Sequence, residues 1–231
     1  SRKKYFTYLV AYSSHYEGKL VLPWPCKYFL NSKRSLRIFS RDELTSRDLT
    51  NQLKKKVIFL GNPFMDKLSI SEKNFNSIIE IALFPGSRIN ELENNLYLML
   101  DLLEYLSTYK YFGKLRYNFA LIFDLKIERV QEILQTRNWI LQKKSTNSNE
   151  VIYVYKSINV KFKWNAFEDI LKQCDFAITM AGTASEQAIG LSKPIIQIEG
   201  SGPQFTKKFA EAQRRLLGPY VFCHTKYNNK T

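Results

Sequence analysis

Short apolar runs alternate along this chain with stretches of helical period, and that alternation limits the fold more than any single residue does. The runs are YLVAY at 8–12, LRIF at 36–39, VIFL at 57–60, IALF at 81–84, FALIF at 119–123, VIYVY at 151–155, FAITM at 176–180 and PIIQI at 194–198. Strands apolar on both faces belong in a parallel sheet covered by helices on either side. Between the runs, the spacing predicts helices over 90–108, 127–136, 166–173, 183–191 and 205–217. In the first of these, Leu92, Leu96, Met99, Leu100, Leu103 and Leu106 share one stripe. The expected fold class is α/β, a Rossmann-like parallel sheet with helices on both faces.

Gly61-Asn62-Pro63 closes the VIFL strand with turn residues, and 64–76 carries little apolar period. The expected division is the end of one Rossmann-like domain over 1–64, a linker over 65–76, and a second such domain over 77–231. With Ser1 at the start and polar residues over 227–231, the chain reads as a fragment, its second domain truncated. The polar stretch 142–150 reads as a solvated loop. No apolar run approaches the roughly 18 residues that span a bilayer, and the first residues lack a signal-peptide pattern. A soluble or peripheral protein is expected.

Cys26, Cys174 and Cys223 are far apart, fall in no metal-ligand spacing and have only His15 and His224 to assist them. A zinc or disulfide framework is not expected, and the cysteines suit a reducing compartment. Net charge is +14, unevenly spread. Residues 1–60 hold 13 Lys/Arg against 4 Asp/Glu, 61–200 hold 16 of each, and 201–231 hold 6 against 1. The basic ends suit an anionic membrane surface, an anionic substrate or nucleic acid; the alternative is solubility alone.

Chemistry concentrates where strands give way to helices. In 81-IALFPGSRINE-91 an apolar run breaks at Pro85-Gly86-Ser87-Arg88 before the longest helical pattern. A parallel strand that turns into a helix aims unpaired N–H groups and the positive end of the helix dipole at the carboxyl edge of the sheet. There Gly86 permits the turn, Ser87 can cap the helix, and Arg88 can fork onto phosphate or carboxylate. The alternative is a helix start with an exposed arginine. A second corner, Ala181-Gly182-Thr183-Ala184, repeats the arrangement, with Glu186 either on the two hydroxyls of a ribose or closing a capping box with Thr183. A third, 199-EGSGPQFTKK-208, brings Gln204 to a helix entrance, where the alternative is a polar residue in the helix's first turn. Three corners on one sheet edge favour a nucleotide-linked ligand.

LFPGSRINELENNL, MAGTASEQ and GPQFTKKFAEAQRRLLG together resemble the C-terminal half of the lipid-A-disaccharide synthase family, in particular its cyanobacterial lipid-A-disaccharide-synthase-related branch. The stretches 36-LRIFSRDELTSRDL-49 and 58-IFLGNPFMD-66 are similar to the end of that family's N-terminal domain, so the likeness covers about residues 36–223. It implies the C-terminal half of a GT-B glycosyltransferase, two Rossmann-like domains with a UDP-sugar held by the second. By the same resemblance Gly86, Ser87 and Arg88 lie beside the donor diphosphate, Gly182 and Thr183 match the glycine-threonine corner, Glu186 holds the ribose, and Gln204 meets the donor sugar. Trp164 is a candidate neighbour of the uracil, with a core position as the alternative. Classical members carry serine where this chain has Ala181.

The activity implied is that of an inverting hexosyltransferase, moving a sugar from a UDP-sugar to a lipid-linked or membrane-associated acceptor in lipid biosynthesis. No metal or other cofactor is required by that scheme, and the general base is expected outside this chain, in the N-terminal part. The expected location is cytoplasmic, peripheral on the inner face of a membrane. Two rivals remain: a UDP-sugar epimerase of the same architecture, and a non-catalytic nucleotide-sugar-binding module. Nucleic-acid binding is the weakest option, because no recognised module accompanies the charge.

Overall fold

Continuous apolar strands, buried on both faces, dictate a sheet between helix layers, and amphipathic segments supply the layers. A computed structural model describes residues 3–10, 12–17, 20–66, 68–69, 77–109, 114–144, 149–198 and 206–224. The chain divides into two compact units, Ser1–Asp66 and Lys67–Thr231.

The first unit contains β1 (Tyr5–Leu9), α1 (Ser14–Glu17), α2 (Trp24–Asn31), β2 (Ser35–Ser40), α3 (Glu43–Leu53), β3 (Val57–Ile58) and a 3-10 turn at Pro63–Met65. Its three strands are parallel, in the order β1-β2-β3. The core is Leu20, Leu22, Leu30, Ile38, Leu49, Leu53 and Val57. Asp42 caps α3, its carboxylate accepting from the Thr45 amide at 2.7 Å. Strand β1 sits three residues before the expected 8–12 run, and the three helices here were not anticipated: α1 and α2 are short, and α3 buries only Leu49 and Leu53 of its apolar residues.

The second unit runs β4 (Ile79–Phe84), α4 (Ile89–Leu106), β5 (Leu115–Leu121), α5 (Ile127–Thr136), β6 (Ile140–Lys144), β7 (Glu150–Tyr155), β8 (Ile158–Trp164), α6 (Phe167–Gln173), β9 (Phe176–Thr179), α7 (Gly182–Gly190), β10 (Ile195–Ile198), α8 (Lys207–Leu217) and β11 (Val221–His224). Eight strands form one sheet in the order β11-β10-β9-β4-β5-β8-β7-β6. The six from β11 to β8 are parallel. The architecture is α/β, a mostly parallel central sheet flanked by helices.

Helices α4 to α8 fall within two residues of the segments expected from periodicity. The sheet corrects the expectation of parallel strands throughout: β7 runs antiparallel to both β8 and β6. The stretch 142–150, expected to be a loop, contributes Gln142, Lys143 and Lys144 to β6 and Glu150 to β7. All five β6 side chains are exposed, so pairing with β7 makes that strand rather than burial.

The main core joins α4 and α5 to β4, β5, β7 and β8, with Phe119 stacked on Phe162 at 4.8 Å. On its rim Arg137 donates to Glu104 through Nε and Nη2, each at 2.7 Å, and Trp139 Nε1 donates to the same carboxylate at 2.8 Å. Burial alone would raise the Glu104 pKa; the bonds from Arg137 and Trp139, with the charge of Arg137, outweigh it and leave the carboxyl below its ordinary value.

Candidate functional site

Strand β4 has β5 on one side and β9 on the other: the chain passes from β4 through α4 to β5, and later crosses from β8 through α6 to β9, so the strand order reverses at β4. Such a switch point opens a crevice at the carboxyl ends of the strands. Here a cleft of about 320 Å³ occupies that place. Its walls include Gly86, Ser87 and Arg88 after β4, Gly182 and Thr183 at the start of α7, and Asn165 and Phe167 after β8.

The first corner is held shut from behind. The Met180 amide donates to the Phe84 carbonyl at 2.9 Å, and Asn95 Nδ2, on the buried face of α4, donates to the Pro85 carbonyl at 2.7 Å. Gly86 has φ +111°, a conformation that strains any residue with a Cβ. Arg88, not Ser87, is the N-cap residue of α4, and no side chain caps that end. The expected Ser87 cap is therefore corrected: Ser87 lies one residue too early to reach the first-turn amides and is exposed. Arg88 is also exposed, its Nη1 3.8 Å from Glu91 Oε1, a loose pair of the kind that contributes little in water.

The second corner is built by Thr179 and Ser185. Thr179 Oγ1 accepts from the Ala181 amide at 3.1 Å, and Ser185 Oγ donates to the Ala181 carbonyl at 2.9 Å. Gln197 Nε2, on β10, donates to Ser185 Oγ at 3.1 Å, tying the helix to the sheet beneath it. A Cβ on Gly182 would stand 3.3 Å from the Phe209 ring of α8, so glycine lets α7 and α8 approach. Ala181 is the N-cap residue and offers no side-chain oxygen, leaving this helix end uncapped too.

Thr183 faces the cleft from inside the first turn of α7, so the capping box with Glu186 does not form. Glu186 sits one turn further on, 8% exposed and outside the cleft's lining. Gln204 lies outside the described residues. Trp164 takes the core position: it is buried, and its Nε1 donates to the Leu125 carbonyl at 2.7 Å. Several residues of the site were not anticipated, three side-chain amides among them. Asn95 was hidden in the apolar stripe of α4. Asn165, at φ 52°, and Gln187 line the cleft. For Asn165 a signal existed, since asparagine between a strand and a helix tolerates the left-handed conformation.

Two helices of 18 and 9 residues thus direct uncapped N-termini at one cleft, with one guanidinium beside them. Part of the lining is apolar, with the Phe84 and Phe167 rings 4.8 Å apart. Such a cleft can hold an anion joined to a flat or apolar group. Among the described residues no group of three or more His, Cys, Asp or Glu is placed to hold a metal ion, and no helix is long and apolar enough to cross a membrane. Comparison with protein-family models and with curated proteins gives no match.

Proposed function

We propose that this chain is the donor-binding half of a GT-B, UDP-sugar-dependent glycosyltransferase of the lipid-A-disaccharide synthase type, acting with inversion on a lipid-linked or membrane-associated acceptor. The observation that carries the reading is the convergence of the Gly86–Arg88 and Gly182–Thr183 corners on one cleft at the switch point of the sheet. The sequence resemblance supplies the substrate class, and the cleft's chemistry agrees with it.

In this reading the donor diphosphate lies across the two helix N-termini, and Arg88 leaves Glu91 to fork onto a phosphate. The acceptor hydroxyl attacks the anomeric carbon as that carbon's bond to the UDP oxygen breaks. A general base takes the hydroxyl proton, and UDP departs with the bonding pair. Negative charge grows on the diphosphate as it leaves, which is where the amides and the guanidinium are aimed. No residue here is assigned as the base.

Calorimetric titration with UDP, uridine and inorganic pyrophosphate tests the donor site. UDP is expected to bind more tightly than either part alone, because base and phosphates occupy different ends of one cleft. Equal affinity for UDP and pyrophosphate would leave an anion site without nucleotide recognition. Conversion of a UDP-sugar in the absence of any acceptor would favour the epimerase reading instead.

A further inference from the structure

The surface of the first unit carries an unusual pairing of aromatic and cationic side chains. On α2, Leu30 is buried and Cys26 packs against the core, while Trp24 is 80% exposed, Tyr28 71% and Phe29 62%. Val21, just before the helix, is 68% exposed. Large apolar side chains gathered on one outward face mark a surface that meets something.

Cations surround that face. Residues 1–41 contain nine Lys/Arg and a single acid, Glu17. Lys3, Lys4, Lys27, Lys33 and Arg34 are all exposed. Hydrogen bonds bring the flanking pairs to the aromatic end of α2. Tyr5 Oη donates to the Phe29 carbonyl at 2.5 Å, the Tyr5 amide to the Arg34 carbonyl at 2.9 Å, and Arg34 Nε to the Lys3 carbonyl at 3.1 Å.

We propose that the outward face of α2, with Lys3, Lys4, Lys27, Lys33 and Arg34, docks on an anionic lipid bilayer. Trp24, Tyr28 and Phe29 enter the headgroup zone, where amphipathic rings are favoured, and the cations sit against lipid phosphates. The charge is complementary to such a surface. Single-stranded nucleic acid, the other polyanion, needs ring faces open for stacking. Here Tyr28 and Phe29 meet edge to face, 5.6 Å apart at 77°, and offer no continuous platform. The proposal rests on the donor reading only for its purpose, since a lipid-linked acceptor lies at such a surface.

The test uses the full chain without nucleotide, mixed with phosphatidylcholine vesicles that contain or lack phosphatidylglycerol, or with polyuridylate. Binding is read by sedimentation and by tryptophan emission. Trp139 and Trp164 are buried, so a change in the exposed-tryptophan emission reports Trp24. Co-sedimentation with anionic vesicles alone, a blue shift, and release by added salt are expected. Lys27→Glu with Lys33→Glu should lower partitioning by about fivefold per reversed charge or more. Trp24→Phe should abolish the blue shift and keep the binding, while Trp24→Ser with Tyr28→Ser should weaken it. No binding to anionic vesicles overturns the proposal, as does binding that neither pair of substitutions reduces. A Trp24 response to polyuridylate but not to vesicles would identify a nucleic-acid surface and overturn it as well. Vesicle binding without UDP binding would sink the donor reading alone.

Discussion

Asn95 donates from Nδ2 to the Pro85 carbonyl at 2.7 Å, joining the second turn of α4 to the turn that leaves β4. The two residues are ten apart, and the bond closes the loop that carries Gly86, Ser87 and Arg88. Asn95 is 3% exposed, among Leu92, Leu96 and Met99. A polar side chain in that stripe is tolerated because its partner is a carbonyl that has turned away from the sheet.

Asn95→Leu keeps the bulk and removes the donor, leaving the Pro85 carbonyl buried and unsatisfied. A loss of about 1–3 kcal/mol of stability is expected in urea denaturation, together with weaker UDP binding by the folded variant. Full UDP affinity in a destabilised but folded variant would show that Asn95 supports the fold without setting the corner.

Glu104 gives the clearest pH dependence. Its carboxyl lies below the ordinary value of 4.5 in the folded chain, through Arg137 and Trp139 acting against burial. A depressed carboxyl contributes stability that is present above its unfolded pKa and is lost as pH falls through the folded one. Thermal melting from neutral pH down through the acid range should therefore show a decline below about pH 4.5. Glu104→Gln should lower stability at neutral pH and flatten that decline. An acid decline of the same size in both proteins would assign it to other carboxylates.

What the sequence made legible follows from which force shapes each element. Helices α4 and α5 have a strong apolar stripe, and their ends were readable to within two residues. Strand β8 was missed, although Val160 and Phe162 alternate with Lys161 and Lys163, because alternation with lysine looks unlike a buried strand. Those lysines reach Glu150 on β7 at 3.5 and 3.3 Å, a cross-strand relation no local pattern contains. Strand β6 owes its form to its neighbour. At the site, the glycine corners were legible because Gly86 and Gly182 answer local backbone and packing demands. Thr183 and Glu186 have the spacing of a capping box, but α7 starts one residue earlier, at Gly182, and the spacing is coincidental. Asn95 was unreadable, since only the folded turn reveals its partner.

The role of Glu186 can be separated from helix support by ligand chemistry. If its carboxylate holds the ribose, Glu186→Gln should cost UDP on the order of 1.5–3 kcal/mol of affinity, and should cost analogues lacking the ribose hydroxyls much less. Calorimetry on UDP and its deoxy counterparts reads the difference. Equal losses would mean that the buried carboxylate acts on α7 itself, in keeping with its place outside the cleft lining.

Arg88 provides the sharpest test of the phosphate corner. In the folded chain its guanidinium stands 3.8 Å from Glu91, exposed, and little holds it there. A diphosphate offers two oxygens in the geometry of the guanidinium fork, which lysine lacks. Arg88→Lys should therefore weaken UDP, and Arg88→Ala should weaken it further, by about 1.5–3 kcal/mol for a charged hydrogen bond. Uridine has no phosphate and should bind all three proteins alike, which separates loss of the contact from damage to the cleft. Because Arg88 is an exposed N-cap residue without a side-chain cap bond, the melting temperatures should stay close together. UDP affinity unchanged by Arg88→Ala would reduce the arginine to an ornament of the helix start, and the anion site would then rest on backbone amides alone.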